Sequence, residues 1–93
     1  MNYTPGELVR SLAGHDKGCI YMIFGTDGDE LLLCDGRLKK VGSPKKKNIR
    51  HVQLIHTGSH PIMEALKSGR EVTDEEVRHF VKAYGGNECL NQM

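Results

Sequence analysis

The sequence has no tryptophan and only three tyrosines and two phenylalanines among its 93 residues. It also lacks any apolar run near the roughly 20 residues that a membrane-spanning helix needs, since its longest apolar run covers only residues 19–24. Residues 1–7 carry neither the basic start nor the apolar stretch of a secretory signal. These absences predict a cytoplasmic protein with no membrane partner.

Cysteine is scarce as well, with three residues and no C-x-x-C pair. An odd count at this spacing fits neither a disulfide framework nor a familiar zinc site. We expect Cys19 and Cys34 to be reduced thiols in or near the core. The histidines that a metal site would use lie across a strand end and a turn rather than on one helical face: His51, His56 and His60. The sequence therefore predicts no metal site.

Catalytic motifs are missing too. A cysteine–histidine pair in this chain has no third orienting group and no oxyanion loop beside it. The glycine-rich segment 25–29 lacks the lysine and the following helix of a phosphate-binding loop. We therefore expect no enzymatic activity, no catalytic residues and no cofactor.

What the sequence does contain is charge that changes sign along the chain. The net charge is only +1, but residues 1–56 hold nine Lys or Arg against six Asp or Glu, and residues 57–93 hold four against six. A chain of this length makes one small domain with at most a short appendage. We expect a domain at residues 1–56 and a helical extension at residues 57–93.

The first half of the chain reads as short apolar runs separated by glycines, which is typical of β-structure. Five strands are expected, over residues 8–13, 19–24, 30–34, 37–41 and 49–55. Gly14 and Gly18 permit a tight turn after the first strand. Asp27 and Gly28 form a strong hairpin signal, because Asp-Gly favours the turns that match strand twist. Five short strands at this spacing predict a small, mainly β barrel.

The second half of the chain has helical signals. Pro61 suits the first turn of a short helix that ends at Gly69. Thr73 and Glu76 form a capping box at the start of a second helix. The apolar residues of this helix recur at helical spacing: Val77, Phe80, Val81 and Tyr84. We expect this amphipathic helix to pack on the barrel and the tail from about residue 86 to be frayed.

Residues 37–50 hold seven basic side chains and no acidic one. Such a concentration of positive charge attracts a polyanion and binds it with release of counterions. We expect Pro44 to begin a loop that holds the next three lysines away from the barrel. On composition alone, a solvated lysine-rich edge that prevents strand pairing explains the same run equally well.

Two segments give the sequence a family resemblance. Residues 6–18 contain a glycine, a valine-containing strand and a G-x-x-K-G turn, and residues 35–51 contain D-G-R-L-K-K followed by P-K-K-K-N-I-R-H. Together they resemble the KOW motif, in particular that of short bacterial KOW-domain proteins similar to KOW-type large-subunit ribosomal proteins. The chain departs from many KOW motifs after the K-G pair, where Cys19, Ile20 and Tyr21 replace a further glycine.

The resemblance implies an SH3-like barrel over residues 1–56 that binds ribosomal or other structured RNA, with ribosomal or transcription proteins as further partners. Gly14 and Gly18 would be the structural turn residues. The candidate RNA contacts are the basic residues of the turn and of the run: Lys17, Arg37, Lys39, Lys40, Lys45, Lys46, Lys47 and Arg50. Because free aromatic rings are few, recognition of backbone and shape is expected rather than of unstacked bases.

A protein-interaction module is the alternative. SH3-like barrels also bind protein segments, and the helix near the C-terminus could dock on a partner through its apolar face. The competing expectation is that this face, with Val77, Phe80 and Tyr84, covers the chain's own barrel.

Overall fold

The computed structural model of the protein describes residues 3–55, 58 and 60–85. Within them, one five-stranded antiparallel sheet is followed by two short helices, which confirms a mainly β fold. The elements in chain order are β1 (Leu8–Ser11), β2 (Ile20–Asp27), β3 (Glu30–Cys34), β4 (Lys45–Asn48), a 3₁₀ turn (Ile49–His51), β5 (Val52–Ile55), α1 (Pro61–Ser68) and α2 (Asp74–Lys82). No helix in these residues is long and apolar enough to cross a membrane.

The strands lie in the order β4-β3-β2-β1-β5, so β4 and β5 are the two edges. Asp27 pairs with Glu30, which leaves Gly28 and Asp29 as a two-residue hairpin turn. Gly28 has a φ of 63° and Asp29 does not have a positive φ, which is the combination that a type II′ turn requires. The hairpin predicted at this point is therefore confirmed. A register shift between Ile23 and Gly25 bends β2.

The prediction of a strand at residues 37–41 is wrong. The backbone N–H groups of Arg37 and Lys39 both donate to Oδ1 of Asp35 at 2.9 Å, and the N–H of Val41 donates to Oδ1 of Asp74 at 2.8 Å. These donors are satisfied by side chains rather than by a neighbouring strand, so the segment forms a loop.

The fourth strand lies instead at Lys45–Asn48, where we expected a loop. Its backbone pairs with β3 from Glu30 to Leu33. The expectation that Pro44 leads into an outward loop is therefore wrong. The predicted last strand is also shortened, because the Asn48 side chain accepts from the N–H of Arg50 at 3.0 Å and caps the 3₁₀ turn that precedes β5.

The two faces of the sheet contribute to two hydrophobic clusters. Alternation along β2 sends Ile20 and Met22 to one cluster and Tyr21 and Ile23 to the other. The first cluster includes the apolar faces of both helices and Val72 between them: Ile62, Ala65, Val72, Val77, Phe80 and Val81. Of the residues that the structure describes, none from α1 or α2 enters the second cluster, which is built from the strands and their flanks.

Both helices agree with the sequence pattern. Thr73 accepts from the N–H of Glu76 at 3.2 Å, and the Glu76 carboxylate accepts from the N–H of Thr73 at 3.0 Å, which is the predicted capping box. Gly69 ends α1 in the left-handed conformation. The α2 face packs on the sheet of its own chain, although Tyr84 remains 40% exposed. The predicted frayed tail from residue 86 lies outside the described residues.

Helix α2 also fixes the loop that follows β3. Gly36 is buried with a φ of 75°, and a Cβ atom added there would lie 2.1 Å from the carbonyl oxygen of Asp74. Only glycine lets the loop and the first turn of α2 approach this closely. Arg78 adds a hydrogen bond to the Gly36 carbonyl at 3.4 Å.

The two core cysteines differ. Cys34 is a free, buried thiol, as expected, and burial together with the charges of Asp35 and Asp74 raises its pKa to about 12. Cys19 is also buried but is disulfide-bonded, so the expectation of a reduced thiol there is wrong. Spacing along the chain does not show which sulfur atoms approach each other in the fold.

Candidate functional site

The candidate site is organised by one buried carboxylate, that of Asp16. It lies in the turn between β1 and β2, with its side chain only 6% exposed. Gly14 and Gly18 flank this turn with φ values of 88° and 92°, the conformation that the predicted tight turn needs. Asp16 thus stands at the tip of the G-x-x-K-G segment but points into the protein.

Four side chains donate hydrogen bonds to this carboxylate. The Ser11 hydroxyl donates to Oδ1 at 2.8 Å and the Tyr21 hydroxyl donates to Oδ2 at 3.0 Å. Lys47 Nζ reaches Oδ1 at 2.8 Å, and Lys45 Nζ contacts Oδ2. We call these five residues, Ser11, Asp16, Tyr21, Lys45 and Lys47, the Asp16 cluster.

Strand alternation explains how two lysines reach one carboxylate. Lys45 and Lys47 lie two residues apart on β4, opposite Leu33 and Leu31 respectively. Both leucines belong to the second hydrophobic cluster, so the lysine stems extend along that face of the sheet. Their side chains are 26% and 11% exposed, which is low for lysine.

The cluster joins two parts of the sheet that no backbone ladder connects. Strand β4 pairs only with β3 among the described residues, and its other side is open. Lys47 Nζ crosses from this edge to the turn after β1, where it also donates to the carbonyl of Ala13 at 2.8 Å. Lys45 Nζ lies 5.5 Å from the centroid of the Tyr21 ring on β2. The predicted turn and the predicted basic run are therefore in direct contact.

The electrostatics of the Asp16 cluster favour the charged carboxylate. Burial alone would raise the pKa of Asp16, but hydrogen bonds from Lys45, Lys47, Ser11 and Tyr21 outweigh it and hold the pKa well below its usual range. Asp16 is therefore ionised at neutral pH and compensates part of the two lysine charges. The middle of the basic run is less available to an external anion than its composition indicates.

The remaining predicted contacts are distributed over other surfaces. Lys46 points to the opposite face of β4 from its neighbours and forms an ion pair with Asp27 at 3.1 Å, with both side chains more than half exposed. Lys17 lies exposed beside Asp16, and Arg50 lies exposed in the 3₁₀ turn. In the loop after β3, Arg37 and Lys40 are exposed while Lys39 is half-buried.

Sequence reasoning missed the role of Asp16. A single acidic residue between two turn glycines gave no sign that it would be buried. The signal that was present is the even spacing of Lys45 and Lys47, which on a strand places both on one face. That signal is readable only once the segment is known to be a strand rather than a loop.

No three His, Cys, Asp or Glu side chains are grouped as a metal ion would require in the part of the chain that the structure describes. His60 instead caps α1, where its Nδ1 accepts from the N–H of Ile62 at 3.2 Å. Its ring also stacks on Phe80, with centroids 3.9 Å apart. Of the other histidines considered for a metal, His51 is exposed and His56 lies outside the described residues.

The chain matches no protein-family model and no curated protein.

Proposed function

We propose that this chain is a non-enzymatic RNA-binding domain of the KOW type, associated with the ribosome or with translation. The observation that carries the proposal is the contact between the G-x-x-K-G turn and the basic run. Lys47 bonds both to Asp16 in the turn and to the carbonyl of Ala13 just before it. Two segments that resemble one motif are therefore in direct contact in the fold.

The fold proposed with this function is an SH3-like barrel. In its favour, the second cluster is buried although neither α1 nor α2 contributes to it among the described residues, as expected if the sheet curls around these residues. The strand order β4-β3-β2-β1-β5, the bend in β2 and the 3₁₀ turn between β4 and β5 fit such a curled sheet. The Asp16 cluster would then close the seam between β4 and the turn after β1.

Burial and pairing divide the proposed RNA contacts into two roles. Lys45 and Lys47 would support the surface, because their ammonium groups already bind Asp16. The direct contacts to phosphate would come from the cations outside the Asp16 cluster, in the turn, the loop, β4 and the 3₁₀ turn: Lys17, Arg37, Lys39, Lys40, Lys46 and Arg50. An ion pair as exposed as that of Lys46 with Asp27 is weak and yields readily to a phosphate.

The protein-interaction alternative has less support. Val77 and Phe80, which would form the docking face of α2, are 0% and 2% exposed in the core of the same chain. Docking through them would require α2 to leave the sheet. Tyr84 alone of that face is substantially exposed, and one ring is a small contact for a partner.

The test must remove charge without disturbing the Asp16 cluster. The double variant Lys46→Gln/Arg50→Gln removes two exposed cations of the proposed surface. Its matched control, Lys67→Gln/Lys82→Gln, removes two exposed cations from α1 and α2. Affinity for a hairpin RNA is measured by fluorescence anisotropy at low salt, after urea unfolding has shown that both variants fold like the native chain.

We expect the first variant to bind the RNA at least about tenfold more weakly than the native chain. Binding is driven by the counterions released when a cation neutralises a phosphate, and the variant makes fewer such contacts. The control should change little. Equal weakening in the two variants would show attraction by overall charge, and absence of RNA binding by the native chain would refute the function. A second double variant, Arg37→Gln/Lys40→Gln, measures the contribution of the loop after β3.

A further inference from the structure

A shallow cleft lies beside the β2–β3 hairpin, and none of the residues that line it belongs to the Asp16 cluster. Its volume is about 380 Å³, within the range of roughly 300–1,000 Å³ typical of small-molecule sites. Apolar walls come from Tyr3 and Ile49, both half-buried, with Leu31 beneath. Asp29 contributes to this cleft and to an adjoining one lined by Arg50.

The polar groups at this cleft are positioned by the backbone. The N–H of Ile49 donates to the carbonyl of Asp29 at 3.0 Å, which holds the 3₁₀ turn against the hairpin. The Asp29 carboxylate and the Arg50 guanidinium are both exposed. Neither side chain has a hydrogen-bonding or ionic partner among the described residues. Gly28 leaves the rim open, with no atom within 4 Å of the position a Cβ would occupy.

A free carboxylate is unexpected on a surface proposed to bind phosphate, since the two repel each other. The neighbouring Asp27 is compensated by Lys46 at 3.1 Å, but Asp29 is not compensated. An ionised carboxylate only accepts hydrogen bonds, and it presents two oxygens side by side. Among the bases of RNA, guanine alone offers two adjacent donors on its pairing edge, the N1–H and the 2-amino group.

We propose that this cleft binds an unpaired guanine of the RNA. The inference rests on the proposed RNA binding and adds a base preference to it. The guanine pairing edge meets the Asp29 carboxylate, its plane lies against Tyr3 and Ile49, and Arg50 binds the adjoining phosphate. Unstacked loop bases are read in this way by RNA-binding proteins that combine an aromatic wall with a polar edge.

The test uses the full chain and RNA hairpins that share one stem. One loop contains only uridines, and the others carry a single guanosine, inosine or adenosine. We expect the guanosine loop to bind about tenfold more tightly than the uridine and adenosine loops, as for a bidentate contact to a base. Inosine lacks the 2-amino group and should give an intermediate affinity. These comparisons use the native protein and so do not depend on the folding of a variant.

The variant Asp29→Asn tests whether Asp29 is the residue that distinguishes guanine from the other bases. Asparagine suits the turn but presents one acceptor and one donor, so the guanosine preference should disappear while the uridine loop still binds. Asp27→Asn, next to the cleft, is the matched control and should keep the preference. A preference that persists in Asp29→Asn would overturn the assignment of the residue.

Two further outcomes distinguish a failure of the guanine site from a failure of the proposed RNA binding. If native protein binds all four hairpins equally, the guanine cleft is refuted while RNA binding stands. If it binds none of them, the proposed function fails and the cleft fails with it.

Discussion

The two ends of the basic run have similar composition but different environments. In β4, alternation sends Lys45 and Lys47 to a buried carboxylate and leaves Lys46 exposed on the other face. In the loop after β3, Asp35 accepts from backbone N–H groups at 2.9 Å rather than from basic side chains. Arg37 and Lys40 are therefore exposed. Position in the fold, more than charge density, decides which cations serve stability and which can meet a ligand.

The substitution Asp16→Ala should have the largest effect on stability, and it tests whether the buried lysines of the basic run differ in role from the exposed ones. It removes the carboxylate to which two partly buried ammonium groups and two hydroxyls donate, which costs about 2–3 kcal/mol of unfolding free energy. Urea unfolding measures the loss. The matched control is Asp27→Ala, which removes the acidic partner of Lys46. Lys46 lies on the same strand as Lys45 and Lys47 but on its exposed face. Equal destabilisation by the two substitutions would contradict a structural role specific to Asp16.

Acid should weaken the Asp16 cluster in a defined direction. The folded-state pKa of Asp16 lies below the unfolded value of about 3.9. Its stabilisation is therefore fully present above about pH 5 and is lost progressively as the pH falls towards the folded-state pKa. We expect the stability difference between the native chain and Asp16→Ala to shrink below about pH 4. A difference that grows in acid would contradict the proposed pairing.

Gly36→Ala tests whether α2 fixes the loop after β3, where the other end of the basic run lies. The added Cβ meets the backbone of α2 at 2.1 Å and the residue must keep a φ of 75°, so we expect a loss of about 1–2 kcal/mol. Gly42→Ala in the same loop is the control, because nothing lies within 4 Å of its Cβ position. Similar unfolding curves for the two variants would show that α2 does not fix the loop.

The smallest effect on stability is expected from Lys46→Gln. Lys46 belongs to an exposed ion pair, in which solvent screens the attraction, so the urea midpoint should stay within error of the native value. Lys45→Gln removes a donor from the Asp16 cluster and should lower that midpoint. If the two substitutions have the same effect on stability, the division between the faces of β4 is wrong.

Elements specified by neighbouring residues could be predicted from the sequence. The capping box of Thr73 and Glu76, the end of α1 at Gly69 and the whole of β3 are local patterns that the structure reproduces. The loop at residues 37–41 could not be predicted, because its conformation depends on Asp74, a residue 33 positions beyond Val41.

The candidate site could be predicted only in part. The turn and the basic run were identified as separate features, but the contact between them depends on Asp16 lying 29 and 31 residues before its two lysines. Long-range pairs of this kind leave no periodic signal. The cleft at Asp29 was missed for a similar reason, since Tyr3 and Ile49 are distant in sequence and meet only in the fold.

The most direct test of the central claim is the salt dependence of RNA binding by the native chain and by Lys46→Gln/Arg50→Gln. We expect log affinity to fall steeply with log salt. In the variant the slope should be shallower by about 0.7 for each phosphate of single-stranded RNA that the protein no longer neutralises. A native affinity that does not change with salt, or identical slopes for the two proteins, would contradict RNA binding through the exposed cations of this surface.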